Sequence, residues 1–150
     1  MVQEILVTGA TGFIGIEVSR QLAERGMRPR LMVRRPVRGL MLRNLEAEIM
    51  QADIRSPESL KRILKGIDTV IHLGARAAFE PYPRLYPSIV KGSVNLMQAA
   101  IEAEVHEFLA VHDRHADFTE NQIEPLVFHD PQGLLAVAGL EQFIDIHSGQ

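Results

Sequence analysis

A chain of 150 residues is long enough to bury one proper core. Its composition, 46% hydrophobic and 23% charged with a formal net charge of −3, is that of ordinary soluble protein and excludes a general nucleic-acid or anionic-membrane binder. It has no cysteine, so disulfides, thiol nucleophiles and thiolate metal sites are excluded too. Ile5–Thr8 reads as a buried strand. Phe13–Arg25 follows as a helix, with Phe13, Ile14, Val18 and Leu22 on one side and Gly26 as the stop. Arg30–Val33 is a second strand, and a broken helical stretch covers about Val37–Leu45. Glu48–Gln51 is a short third strand. Ser56-Pro57 opens the next helix, serine as N-cap and proline in the first turn, and Gly66 ends it. Ile67–Ala75 is a strong fourth strand. The loop Ala77–Pro87 holds three prolines, Tyr82 and Tyr86, and leads into a long helix, Pro87–Glu104. Glu107–His112 is a fifth strand, Asp113–Gln132 a loop, and Gly133–His147 a final helix.

Strands and helices alternate, and the strands are continuous apolar runs. That is the pattern of a parallel sheet covered on both faces. The expectation is a single α/β domain, 1–150, a Rossmann-like doubly wound sheet with strand order 3-2-1-4-5. The first apolar run is short and soon broken by glycine, which does not suit a secretion signal, and no apolar stretch is long enough to span a bilayer. A cytoplasmic location, with neither nucleic acid nor membrane as partner, is expected.

The first turn carries the chemistry. "TGATGFIG", residues 8–15, lies between the first strand and the first helix, with glycines at 9, 12 and 15. One glycine permits the tight turn, another lets the backbone approach a diphosphate, and the third lets the helix pack on the strand. The helix amides and dipole then face the anion. A lone glycine pattern is weak evidence, but its place in the first βα unit makes it specific. The pyrophosphate is expected over Gly9, Thr11, Gly12, Phe13, Ile14 and Gly15.

The motif "VTGATGFIG" resembles the T-G-x-x-G-x-x-G signature of the short-chain dehydrogenase/reductase superfamily, in particular its extended and atypical, epimerase/dehydratase-like branches. Three more stretches agree in order and spacing: "QADIRSPESL", "DTVIHLGA" and "VKGSVNLMQAA". The resemblance spans about residues 3–112 and is weak over 113–150. It implies adenine contacts from Asp53 and Ile54, and a cofactor running past Leu73, Gly74 and Ala75. An NAD-preferring site of this type places an acid at the end of the second strand. Here Arg34 stands at that place, Arg35 follows, and no acid occurs between Glu24 and Glu46. Two guanidinium groups suit the 2′-phosphate of NADP, so NADP is expected ahead of NAD.

The resemblance also implies a tyrosine acid/base assisted by a lysine four residues on, and a serine or threonine ending the fifth strand. This chain departs from that pattern. It has no tyrosine after Tyr86 and no lysine after Lys91. Aligned with the family's helix, Gly133 and Val137 fall at the Tyr and Lys positions. His112-Asp113 replaces the serine pair, and Ile89 an asparagine. His112 and Asp113 are the weak catalytic candidates, since histidine is the usual acid/base near neutral pH. The surrounding His/Asp-rich zone has no recognised metal spacing, and no metal is expected. The substrate half of the extended branch is also expected to be absent.

Three readings stay open at this point. One is an NAD(P)-dependent oxidoreductase or epimerase with non-standard acid/base residues, acting on a carbonyl compound or nucleotide sugar. Another is a non-catalytic dinucleotide-binding sensor or subunit. The third is a truncated family member. Val90, Val94, Met97 and Ile101 recur at helical spacing as a core stripe. A very apolar final helix needs cover on more than one side, and a homodimer would supply it.

Overall fold

The computed structural model describes residues 4–74, 82–111, 125–129 and 134–136, with side chains over 4–74 and 91–110. The elements in chain order are β1 (Ile5–Thr8), α1 (Phe13–Glu24), β2 (Arg30–Val33), α2 (Pro36–Gly39) with a 3₁₀ turn (Leu40–Leu42), β3 (Glu48–Gln51), α3 (Pro57–Ile63), β4 (Thr69–His72), α4 (Tyr82–Glu102), β5 (Glu107–Val111), β6 (Pro125–His129) and β7 (Leu134–Ala136). They build one sheet in the order β3-β2-β1-β4-β5-β6-β7. The first five strands of that order run parallel, and β6 and β7 join antiparallel. This is the Rossmann-like α/β fold.

Side-chain alternation along the strands divides the core into two layers. Ile5, Val7, Leu31, Val33, Ile71 and Leu109 point to the face covered by Val18 and Leu22 of α1 and Leu42 of the 3₁₀ turn. Leu6, Met32, Val70, Phe108 and Ala110 point to the opposite face, under Leu60 and Ile63 of α3 and Leu96, Ala99 and Ala100 of α4. Both faces are buried at β1, β2 and β4, which explains why these strands lack polar alternation, whereas the edge strand β3 is largely exposed. The outer edge is short and tied down. Arg62 Nη2 donates to the Gln51 carbonyl at 2.9 Å, and Arg30 bridges Glu48 at 2.8 Å to the Ile63 and Lys65 carbonyls.

The local signals mostly act as expected. The Ser59 N–H reaches the Ser56 hydroxyl at 3.4 Å, with Pro57 in the first turn. Gly26 and Gly66 both take positive φ, 78° and 72°, beyond the helices they close. Five expectations need correction. Phe13 and Ile14 do not share the buried side of α1; Phe13 is 95% exposed, and Gly15, Val18, Ser19 and Leu22 form the inner face. Helix α4 starts at Tyr82, so Tyr82 and Tyr86 lie on a helix. Pro83 stands in the first turn, where its missing N–H is unneeded, so it does not delay the helix. Val94 and Ile101 of the expected core stripe face solvent, and Leu96, Ala99 and Ala100 take the core instead.

The remaining two corrections lie beyond β5. Residues 125–129, expected as loop, form β6, paired Glu107↔His129 to Val111↔Pro125. Leu134–Ala136, expected to open a helix, form β7, paired with β6 through Val127↔Leu135. A short apolar run such as "LLAVAGL" carries no decisive period, and the partner strand decides it. With Leu134–Ala136 in a strand, the alignment of Gly133 and Val137 to a catalytic helix fails. The rest of that expected helix, 137–147, lies outside the described residues.

Candidate dinucleotide site

The glycine turn is shaped by what a side chain would strike. Gly9 has φ +69°, and a Cβ there would lie 2.5 Å from the Leu73 carbonyl oxygen. The ends of β1 and β4 therefore close on each other through bare backbone, and the Leu73 N–H donates to the Thr8 carbonyl at 3.2 Å. A Cβ on Gly15 would collide with the Gly9 carbonyl and the Ala10 Cα. Helix α1 thus starts pressed against the turn, and the Gly12 N–H donates to the Gly9 carbonyl at 2.9 Å. Gly12 is the N-cap and supplies no capping side chain, and the first turn of α1 has no acid. The first-turn amides of Phe13, Ile14 and Gly15 have no acceptor within the helix. Donors and dipole are left for an anion. Thr11 is half-buried in the turn, while the Phe13 ring turns outward.

Beneath the turn lies a buried polar link. Thr8 Oγ1 and His72 Nδ1 are 2.6 Å apart, and His72 Nε2 lies 2.9 Å from the Ser93 hydroxyl. One ring thus ties the end of β1 to the end of β4 and to α4. Gly74 packs over it, with its Cβ position 3.1 Å from Thr8 Oγ1 and 3.3 Å from the His72 ring. Gly92 lets α4 approach Ile54, since a Cβ there would sit 2.7 Å from its side chain. Asn95 Nδ2 donates to the Ile54 carbonyl at 3.4 Å. The helix that steadies the floor also fixes the loop after β3.

The other end of the site is built from long side chains. Arg34, Gln51, Ala52, Asp53, Ser56, Ser59 and Arg62 line an open cleft of about 270 Å³ at the ends of β2 and β3. Arg34 and Arg35 are exposed, the latter at the N-cap of α2. Asp53 is gripped by Arg55: Nε to Oδ1 at 3.0 Å, Nη2 to Oδ2 at 2.7 Å, and the backbone N–H to Oδ1 at 2.9 Å. That fork holds the Asp53 carboxyl below its ordinary range, with a smaller contribution from the charge of Arg34. Oδ1 already takes two donors, so Oδ2 is the oxygen more open to a further one. Ser59 locks the loop, accepting from the Asp53 N–H at 3.0 Å and donating to its carbonyl at 2.9 Å.

Gly9, Thr11, Gly12, Phe13, Ile14 and Gly15 are thus brought beside Leu73 and Gly74, while Arg34, Arg35, Asp53 and Ile54 gather at the ends of β2 and β3. Ala75, His112 and Asp113 lie outside the described residues. Sequence reading missed Arg55 and Arg62. Arg55 had a signal, an opposite charge two residues from Asp53 in a turn. Arg62 had none, because its place depends on how α3 lies along β3. Among the described residues, no three His, Asp or Glu side chains gather as metal ligands, and no helix is long and apolar enough to cross a membrane.

A parallel sheet whose first strand runs through a side-chain-free turn into an uncapped helix defines a nicotinamide-dinucleotide-binding Rossmann domain. The chain belongs to the NAD(P)H-binding family, whose pattern it matches over residues 9–133, within the short-chain dehydrogenase/reductase and epimerase/dehydratase superfamily. It is 42% identical over 69 residues to ceramide reductase of Caulobacter vibrioides, covering 46% of this chain and 22% of that protein. It is 33% identical over 110 residues to cinnamoyl-CoA reductase 1 of Petunia hybrida, covering 69% and 33%. Among solved structures it resembles a short-chain dehydrogenase/reductase superfamily protein from Agrobacterium tumefaciens with bound NAD (29% identity, TM-score 0.62, 72% of this chain and 32% of that one). It also resembles uronate dehydrogenase from Agrobacterium tumefaciens (25% identity, TM-score 0.56, covering 68% and 37%). The chain spans a third or less of the length of these two curated relatives.

Proposed function

We propose that this chain binds NADP(H) in preference to NAD(H) and forms the cofactor-binding part of an oxidoreductase or epimerase acting on a carbonyl compound or nucleotide sugar. The observation that carries the reading is the glycine turn, where Gly9 and Gly15 have no room for a side chain and the first amides of α1 have no cap. The diphosphate lies over Gly9, Thr11, Gly12, Phe13, Ile14 and Gly15. Arg34 and Arg35 take the 2′-phosphate, and the absence of any acid between Glu24 and Glu46 supports NADP. Asp53 and Ile54 meet the adenine, with Asp53 accepting the exocyclic amine through Oδ2. Leu73, Gly74 and Ala75 line the path to the nicotinamide, with His112 and Asp113 beyond.

The bound cofactor supplies hydride chemistry, and the protein supplies orientation. The Thr8–His72–Ser93 link keeps the diphosphate turn and the nicotinamide floor at a fixed separation. This sequence has no tyrosine after Tyr86 and no lysine after Lys91, and the groups it offers for proton transfer are His112 and Asp113 first. The similarity to reductases and a dehydrogenase supports an enzymatic role. The exposed Val94 and Ile101 on α4 support a homodimer through that face; a monomer in sedimentation at micromolar concentration would remove that part. The cysteine-free composition supports a cytoplasmic location.

The test uses the cofactor's own fluorescence, since the chain has no tryptophan. NADPH and NADH are titrated separately with the intact chain. NADPH is expected to bind more tightly. If neither binds below about millimolar, the range of a marginal complex, the reading is wrong.

A further inference from the structure

Charge is distributed unevenly along the chain. Seven of the sixteen basic residues lie between Glu24 and Glu46, a stretch with no acid, while all nineteen acids lie outside it. Within that stretch, α2 and its 3₁₀ turn rest on the sheet through two positions only. Leu42 is fully buried, and Gly39 packs with its Cβ position 3.2 Å from Ile49 and 3.7 Å from Val33. That anchoring turns the other apolar residues outward. Val37 is 78% exposed, Leu40 60% and Met41 59%, at the i, i+3, i+4 spacing that makes one patch. Arg35, Arg38 and Arg43 flank them, all exposed and none in an ion pair among the described residues.

The proposed cofactor uses Arg34 and Arg35 and accounts for neither Arg38 and Arg43 nor the apolar trio. A second copy is a poor occupant, because patch-to-patch contact would bring arginines of both copies together with no carboxylate between them. Apolar side chains ringed by arginines complement a surface that is negative outside and apolar just beneath. We propose that Val37, Leu40 and Met41, with Arg38 and Arg43 beside them, dock this domain onto the surface of an anionic lipid bilayer. The overall charge of −3 conceals the site, because the acids lie elsewhere in the chain. The contact is peripheral: apolar tips enter the interface and guanidinium groups meet lipid phosphates. It would place the adenosine end of the cofactor site against the membrane, with the nicotinamide end farther off along the sheet edge.

Flotation of the intact chain with phosphatidylcholine vesicles, with and without phosphatidylglycerol, tests this. Binding is expected only with phosphatidylglycerol, and it should weaken as salt shortens the range of the charges. Arg38→Gln together with Arg43→Gln should cut the partition roughly twenty-five-fold, about five-fold per arginine. Leu40→Ser together with Met41→Ser should cut it roughly ten-fold. All four side chains are exposed, so unchanged thermal midpoints and cofactor titrations check the fold, and the salt series on the unaltered chain needs no variant. The proposal fails if the chain stays unbound on both vesicle types, if it binds both equally, or if the two variants bind as the parent does. It fails equally if the chain self-associates and Leu40→Ser with Met41→Ser reverses that, since the patch would then belong to a second copy.

Discussion

The two ends of the cofactor site are made of opposite materials. The glycine turn works by the absence of side chains: Gly9 against Leu73, Gly15 against Gly9, and helix amides with nothing capping them. The adenosine end works by their presence, with Arg34, Arg55 and Arg62 placed around Asp53 on stems several bonds long. The first is set by chain geometry, so any added atom damages it. The second is set by charge, so single changes shift preference before they abolish binding.

The largest effect should follow from Gly15→Ala. Its methyl group would collide with the Gly9 carbonyl, a backbone atom that cannot rotate away, so the turn must open. Overpacking of this kind costs roughly 1–3 kcal/mol of stability. Binding should fall further, by about a hundred-fold, because several amides lose their aim together. Calorimetry and cofactor titration read the two effects separately; near-normal binding by Gly15→Ala would mean that the turn is not the phosphate site. Next in size is Arg34→Asp with Arg35→Ala. Removing two phosphate partners and restoring the acid should weaken NADPH by about ten- to a hundred-fold while NADH gains or holds. Equal losses for both cofactors would break the division of labour between the two ends. Ser56→Ala is a smaller, structural probe. It removes the N-cap of α3 and should lower stability by about 1 kcal/mol, seen as a lower denaturant midpoint at unchanged slope.

The same contrast explains how far the sequence could be read. Spacing along the chain is one-dimensional information, and the glycine turn needs nothing else: strand, three glycines and helix are adjacent in sequence and stay adjacent in space. β1 and β2 were legible to the residue because both-face burial leaves a nearly uninterrupted apolar run, and the edge strand β3, largely exposed, was legible from its short Ile49-Met50 pair alone. The α4 stripe was misread because Leu96, Ala99 and Ala100 offer less apolar bulk than Val94 and Ile101, yet they are the residues packed into the layer with Leu60, Val70 and Phe108. β6 and β7 were missed because their short apolar runs become strands only by pairing, β6 with β5 and β7 with β6. Phe13 and Ile14 misled for a related reason. Their apolar side chains sit in a first turn whose backbone faces the site, so they cannot also face the core. The role of Arg62 depends on how α3 lies across the sheet edge, which no local pattern encodes.

The smallest expected effect concerns Asp53 and sharpens the account of the adenosine end. Its carboxyl is held below the ordinary value of 3.8, chiefly by the Arg55 fork. A carboxylate with a depressed folded value stabilises the fold above that ordinary value. The contribution fades as pH falls through the lowered one. The pair therefore adds stability at neutral pH that disappears only in acid, below the usual aspartate range. Arg55 is exposed and Asp53 only half-buried, so screening keeps the contribution under about 1 kcal/mol. Arg55→Gln should flatten that acid limb of the stability curve and barely alter the midpoint at neutral pH. It should also release Asp53 Oδ2, while Oδ1 keeps the backbone N–H of residue 55, so adenine-containing ligands should bind within about three-fold of the parent, the scale of one exposed hydrogen bond. An acid limb that survives Arg55→Gln would move its origin to other carboxylates. A large loss of affinity would show that Arg55 itself touches the nucleotide, and the adenosine end would then rest on three arginines in place of two and an aspartate.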